Sequence, residues 1–308
     1  MPSSGTRQGG LTMLSIGETL KQIRHNQGLT QNQLYDGLIS PSFASRLERG
    51  LHSVTADTLF AILDRLMIDP TEFQFIQRGY HPSVAQRTFN QITTANSQQN
   101  FPWLRHLDQQ YRDSNLPNLQ ALATLANLSI SIFDDRPIDT SRTDQLWRRF
   151  NRSQLWNLTE IRQASMWLMI AEAKHAQSQI LQGIDKMHHS CARYMVHQTD
   201  TFRLQQPLLD FDNLAFQVLV QSHRYQEAKQ FWPHWRPADP ERLNIESRIT
   251  QLVTNCFWDW YFGDFDQADH QAKLIQQIPT NKDSLNVHDV LRAYRYFAQR
   301  YRQSTKKA

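Results

Sequence analysis

Three groups of residues in this chain have side chains and spacings suited to chemistry. The first lies in SPSFASRLERG, residues 40–50. This stretch reads as a short helix, with Ser40 as N-cap, Pro41 at the first helical position and Gly50 closing it in a left-handed conformation. Ala44 and Leu47 form its apolar face. Pro41, Ser42, Phe43, Ser45, Arg46 and Arg49 are left for the outward faces: small hydroxyls, one ring and two guanidinium groups. The second group is Arg149 and Arg152, flanked by Trp147 and Trp156. Such a cationic, aromatic-edged site suits a carboxylate, and solvated or Trp-stacked arginines are the plainer alternative. The third is Asn213 and Asn255, mid-helix where Asn is a poor helix former. Their amides can clamp the backbone of an extended ligand or tie neighbouring helices together. His188, His189, Cys191 and His197 share one stretch, but their spacing is no known ligand set. Carboxylates are poorly placed and no Gly-rich phosphate loop occurs, so no catalytic residue, metal or cofactor is expected.

The elements that position these residues are helices. A chain of 308 residues suits two domains, and 40% hydrophobic content with 8 Trp and 16 Phe provides a real core. Residues 1–80 hold seven Lys/Arg and seven Asp/Glu, so the net charge of +4 lies downstream. A neutral N-terminal part argues against indiscriminate polyanion binding and leaves room for a local basic patch. Cys191 and Cys256 are far apart, which fits a reducing compartment. No apolar run approaches the roughly 20 residues of a membrane span, and residues 1–13 lack the apolar core of a signal peptide. A cytoplasmic protein with a disordered leader over 1–13 is expected, with Met13 a second candidate start.

Punctuation divides residues 14–78 into five short helices, near 16–27, 30–36, 40–49, 56–67 and 69–77. Thr30 to Gln33 is a capping box. Residues 79–83 read as a linker, and 84–303 show only helical periodicity, with helices expected over 83–97, 101–113, 117–134, 139–151, 153–176, 178–198, 203–222, 225–235, 239–262, 265–277 and 284–303. Tyr225 to Ala228 resembles Phe265 to Ala268, each after a long helix carrying Asn213 or Asn255. That is the pattern of stacked helical hairpins. The last helix carries Tyr294, Phe297 and Tyr301 on one stripe, and Arg300, Arg302, Lys306 and Lys307 form a basic end, with 304–308 a solvated tail.

Two helices joined by the tight turn Gly37-Leu38-Ile39 make a helix-turn-helix candidate. GETLKQIR (17–24), GLTQ (28–31), SRLERG (45–50) and the LxxILDRL pattern of 59–66 resemble the phage-repressor-type, or XRE-type, DNA-binding domain. The turn is about one residue shorter than in phage repressors. With that turn and the late segment ending GDF (263–265), the whole chain resembles the Rgg/GadR/MutR regulators of Gram-positive bacteria. The resemblance implies an all-α protein: a five-helix DNA-binding domain followed by a superhelical array of tetratricopeptide-like hairpins. It implies that Arg24 and Glu48 form a buried ion pair joining the first and third helices. Thr30 and Gln31 would then face a DNA phosphate, and the third helix would enter the major groove. There Arg46 suits bidentate reading of guanine, Phe43 a thymine methyl, and Arg49 a phosphate.

The resemblance further implies a homodimer, with the last helix contributing, that binds operator DNA under the control of a short signalling peptide. The ligand would reach Arg149, Arg152, Asn213 and Asn255, and a change in polymerase contacts is one route to the output. A regulator sensing a non-peptide signal or acid stress is the alternative within that class. A helical-repeat interaction scaffold with a degenerate DNA-binding domain is the alternative outside it.

Overall fold

The computed structural model describes residues 7–8, 11–134, 139–196, 199–235, 243–277 and 287–305. It divides into two compact units, Met1–Gln91 and Ile92–Ala308. Among the described residues the only strands are β1 (Arg7–Gln8) and β2 (Leu11–Thr12), a short antiparallel ladder within the stretch expected to be a disordered leader. The rest is helical, as the all-α expectation required.

The first unit holds α1 (Ile16–Asn26), α2 (Gln31–Tyr35), α3 (Pro41–Glu48), α4 (Ala56–Leu66) and α5 (Pro70–Gln77). Each of the five starts at an oxygen-bearing residue: Ser15, Thr30, Ser40, Thr55 and Asp69 accept from backbone N–H groups of the first turn. Helices this short are marginal alone, so these caps, each worth about 1 kcal/mol, decide where they begin. Gly50 follows α3 with φ +72°, which turns the chain away from the helix axis. Leu20, Leu34, Leu47, Ile62 and Leu66 are fully buried and hold the five helices on one core.

The close approach of α1 to α3 depends on Gly17. A Cβ there would lie 1.7 Å from the Leu47 carbonyl oxygen, inside any permitted contact.

α6 (Val84–Ser97) contains the division between the units. Beyond it come α7 (Phe101–Tyr111), α8 (Pro117–Phe133), α9 (Thr140–Arg152), α10 (Leu158–Arg162), α11 (Ala164–Ala173) and α12 (Gln177–Ala192). α13 (Gln205–Gln221), α14 (Tyr225–Trp235), α15 (Ile245–Phe262), α16 (Phe265–Gln276) and α17 (Val287–Thr305) complete the unit. α11, α13, α15 and α17 pack one on the next, while α12, α14 and α16 pack back on their own neighbours in the chain. α13–α14 and α15–α16 are the two repeated hairpins, and Ala228 and Ala268 are both fully buried at their close contacts.

The helix expected over 153–176 is two helices. Trp156 is fully buried, with its Nε1 donating to the Phe150 carbonyl at 3.0 Å, so the chain must leave the helical path to deliver the ring to the core. Asn157 then restarts a helix as a capping box with Glu160. Gln163, at φ −105° and ψ 5°, separates α10 from α11. α15 starts at Ile245, later than the expected 239, and 236–242 lie outside the described residues, as do 284–286, Lys306 and Lys307. Arg302 is not part of a solvated end: its guanidinium donates to the carbonyls of Trp260, Asp259 and Gly263 at 2.7, 2.8 and 2.6 Å, closing the C-terminus of α15.

Gly17→Ala is expected to destabilise the first unit by at least about 1–3 kcal/mol, the usual range for overpacking, because the clashing atom is backbone. Thermal unfolding followed by circular dichroism, with hydrogen exchange locating the loss in α1 and α3, checks this.

Candidate functional site

The first unit is organised around one carboxylate. Glu48, at the end of α3, is 4% exposed, and Arg24 of α1 is 6% exposed. Arg24 Nε and Nη2 donate to the two Glu48 oxygens at 2.7 and 2.8 Å, a bidentate ion pair. Tyr35 Oη donates to Glu48 Oε1 at 2.9 Å and Gln31 Nε2 to Oε2 at 2.7 Å. Arg24 Nη1 also donates to the Leu29 carbonyl at 2.7 Å, which fixes the α1–α2 connection. Burial alone would raise the Glu48 pKa, but the hydrogen bonds from Arg24, Gln31 and Tyr35 outweigh it, and the carboxyl is held below its ordinary range. Hydrogen bonding to Glu48 raises Arg24 in turn, and burial beside that carboxylate pushes the Tyr35 phenol up.

This hub sets how α3 is presented. Pro41, Ser42, Arg46 and Arg49 are exposed on it, and Phe43 and Ser45 are half-buried. Arg49 Nε donates to the Ser45 carbonyl at 3.1 Å, so its guanidinium stays close to the helix. Arg46 has no intramolecular partner among the described residues. Phe43 packs on the core and stacks on His52, with ring centroids 5.3 Å apart and planes 14° apart. Thr30 is exposed, and its hydroxyl caps α2. The Gln31 side chain is fully engaged inside the unit, donating to Glu48 and accepting from Ser45 Oγ at 3.2 Å. What it offers outward is the N-terminus of α2.

Sequence reasoning missed Arg65. From α4 its Nη1 donates to the carbonyls of Leu34 and Asp36 at 2.9 and 2.6 Å, satisfying the end of α2 and pinning the turn into α3. Leu38 and Ile39 of that turn pack on the core.

In the second unit the candidate ligand residues do not converge. Arg149 donates from Nη2 to Gln163 Oε1 at 2.7 Å and lies over the Phe150 ring. Arg152 is exposed. Both sit on α9, whose main neighbours are α8 and α11. Asn213 Nδ2 donates to Thr254 Oγ1 at 2.6 Å, and its carbonyl accepts from Gln217, so it ties α13 to α15. Asn255 Oδ1 accepts from Trp232 Nε1 at 2.7 Å, tying α15 to α14. These contacts join a longer polar seam: Gln206 meets Thr250 and Ser247, and Tyr294 Oη donates to Gln217 at 2.8 Å.

His188 Nε2 lies 2.8 Å from the buried Asp212 Oδ1, joining α12 to α13. His189 Nδ1 is 2.7 Å from the Asp185 carbonyl of its own helix. Burial, with Asp212 and Asp200 nearby, pushes the Cys191 thiol up to about 12, which keeps it protonated and non-nucleophilic. His197 lies outside the described residues. No described helix is long and apolar enough to cross a membrane.

Residues 20–73 match the helix-turn-helix family. Over nearly its whole length the chain has the fold of solved bacterial regulators. A protein of Listeria monocytogenes EGD-e described as a transcriptional regulator is 18% identical with a TM-score of 0.69, covering 94% of this chain and 98% of that one. The SHP pheromone receptor Rgg2 of Streptococcus dysgalactiae is 15% identical with a TM-score of 0.64 over 93% and 99%. PlcR of Bacillus thuringiensis, solved with the peptide PapR7 and DNA, is 15% identical with a TM-score of 0.59 over 92% and 98%.

Replacing Glu48 by Gln removes the charge and strands the Arg24 guanidinium. The expected loss is about 3–5 kcal/mol at neutral pH, as for a broken buried pair. Because the folded Glu48 pKa is lowered, its stabilisation is complete above the unfolded value of about 4.3 and is lost as pH falls through the folded value. Hydrogen exchange of residues 14–78 in both proteins should therefore differ most near pH 7 and converge on acidification.

Proposed function

We propose that this protein is a transcriptional regulator that reads double-stranded DNA through α3 and is controlled by a short peptide bound in its second unit. The observation that carries the first half is Arg46. Its guanidinium is exposed and unengaged on a helix held rigidly by the Glu48 hub, beside exposed Ser42 and Arg49. A five-donor fork fixed on a rigid element suits bidentate contact with guanine in the major groove. Phe43 offers apolar contact to a thymine methyl, and the α2 N-terminus and Arg49 suit phosphates. The helix-turn-helix match over residues 20–73 supports the reading.

The second half rests on likeness to a pheromone receptor and to a regulator solved with its peptide. In this reading Arg152, with Arg149, holds the peptide carboxylate, and Asn213 and Asn255 exchange their present side-chain partners for peptide backbone groups. The exchange is chemically conservative, since one amide hydrogen bond replaces another. Two copies pair to present two recognition helices about one turn of DNA apart. The exposed Tyr296 and Phe297 of α17, each 54% accessible, are the natural contact. The peptide shifts the regulator only by its differential affinity for two states of this dimer.

Arg46→Ala is expected to cost about 1–3 kcal/mol of discrimination at one base pair in each half-site. Arg49→Ala should weaken binding evenly across sequences and lower the salt slope by about 1 per site. Fluorescence anisotropy over a salt series, on specific and scrambled duplexes, distinguishes the two; wild-type binding by both variants would remove α3 as the reading element. Arg152→Gln should weaken a peptide with a free C-terminus and leave the C-terminally amidated peptide unaffected, as read by calorimetric titration.

A further inference from the structure

A crevice of about 340 Å³ opens between α8 and α9, lined in part by Arg112, Arg142, Arg148, Arg149, Gln120 and Thr124. Its lining is rich in arginine. Four guanidinium groups line it against a single carboxylate, Asp144, and that carboxylate is bound by Lys174. Arg112 and Arg142 share the buried Asp108 behind them, donating to its two oxygens at 2.8 and 2.6 Å. Asp108 thus neutralises one positive charge of that pair, Glu160 stands by Arg149, and Asp144 is shared between Lys174 and Arg148. Arg148 spends only its Nε on the Asp144 backbone carbonyl, at 3.3 Å.

The remaining feature is a missing hydrogen bond. Arg149 Nε is buried and has no hydrogen-bond partner, the one such side-chain atom among the described residues. The nearest carboxylate, Glu160, stands 3.7 Å away, too far for a hydrogen bond. Buried donors without partners are rare and need an explanation. The first turns of α8, at Pro117, and of α9, at Ser141, also border the space, the latter capped by the Asp139 carboxylate, which accepts from Ser141 N–H and Oγ.

We propose that this crevice binds the phosphate group of a small phosphorylated molecule. A phosphate offers three terminal oxygens to the guanidinium groups where a carboxylate offers two, and the volume exceeds what a bare phosphate fills. Gln120 and Thr124 supply neutral hydrogen-bonding groups along the wall for the remainder of the molecule. Arg149 is shared with the peptide reading, but Arg148 belongs to the crevice alone and Arg152 to the peptide alone, so the two readings fail separately.

The test uses the full chain without peptide or DNA. Phenyl phosphate and benzoate, which differ only in the anionic head, are titrated at matched ionic strength while the melting temperature and the 31P line width are followed. Phenyl phosphate is expected to raise the melting temperature saturably and benzoate to leave it unchanged. Arg148→Gln should weaken phenyl phosphate at least 10-fold, while Arg87→Gln, in the other unit, and Arg152→Gln should not. Gln120→Trp, which fills the crevice and leaves every arginine in place, should abolish binding even if Arg148→Gln perturbs folding. Equal effects of the two anions, or retained phosphate binding in both Arg148→Gln and Gln120→Trp, would overturn the proposal.

Discussion

The first unit depends on satisfying one buried carboxylate. Removing Glu48 from water is tolerable only because four donors from two elements meet it: two from Arg24 on α1, and one each from Gln31 and Tyr35 on α2. Two of those three residues are also fixed elsewhere, Arg24 by the Leu29 carbonyl and Gln31 by Ser45. The result is a joint at which α1, α2 and α3 cannot slide independently, since any slip would strand a charge. The apolar contacts around it provide most of the burial, and the carboxylate sets the register. That division matters for a surface required to hold side chains within a fraction of an ångström of a ligand. α3 alone, eight residues long, could not do so.

The second unit solves the same problem with distributed joints. Asp108 bridges arginines from α7's end and α9, and Asp269 takes a bidentate pair from Arg295 at 2.7 and 2.6 Å. Arg302 closes α15 by meeting three carbonyls. The seam of Gln206, Asn213, Gln217, Thr254 and Tyr294 runs between α13, α15 and α17, in a unit whose buried Trp156, Trp167, Trp232 and Trp260 add bulk and each donate one indole N–H, to the Phe150 carbonyl, Asn151, Asn255 and Asp269. Half-exposed amides already bonded to each other would suit the proposed exchange of partners at little net cost.

Local signals were legible in the sequence. Ser15, Ser40 and Asp69 cap helices where oxygen side chains precede apolar runs, and Gly50 takes the left-handed turn. The buried face of α3 followed from the spacing of Ala44 and Leu47, while Phe43, assigned to the outward faces, packs partly on the core. Long-range partners were not legible. Gln31 looks like an outward amide until α3 brings Glu48 and Ser45 to it, and Arg65 looks like a surface cation until α4 lies across the end of α2. The break at Gln163 has no Gly or Pro to announce it, whereas the start of α10 could have been found from Asn157 with Glu160 three residues on, a capping box inside a periodic stretch. The Trp pair of Asn255 likewise needs the α14–α15 packing to appear.

The central claim is that α3, held by the Glu48 hub, reads DNA sequence. Sequencing of chromosomal fragments recovered with the purified protein tests it most directly. The account predicts a discrete, near-palindromic site with half-sites about one helical turn apart, whose enrichment disappears in Arg46→Ala protein that remains folded. Recovery of fragments with no common site, or the same site with Arg46→Ala, would contradict it.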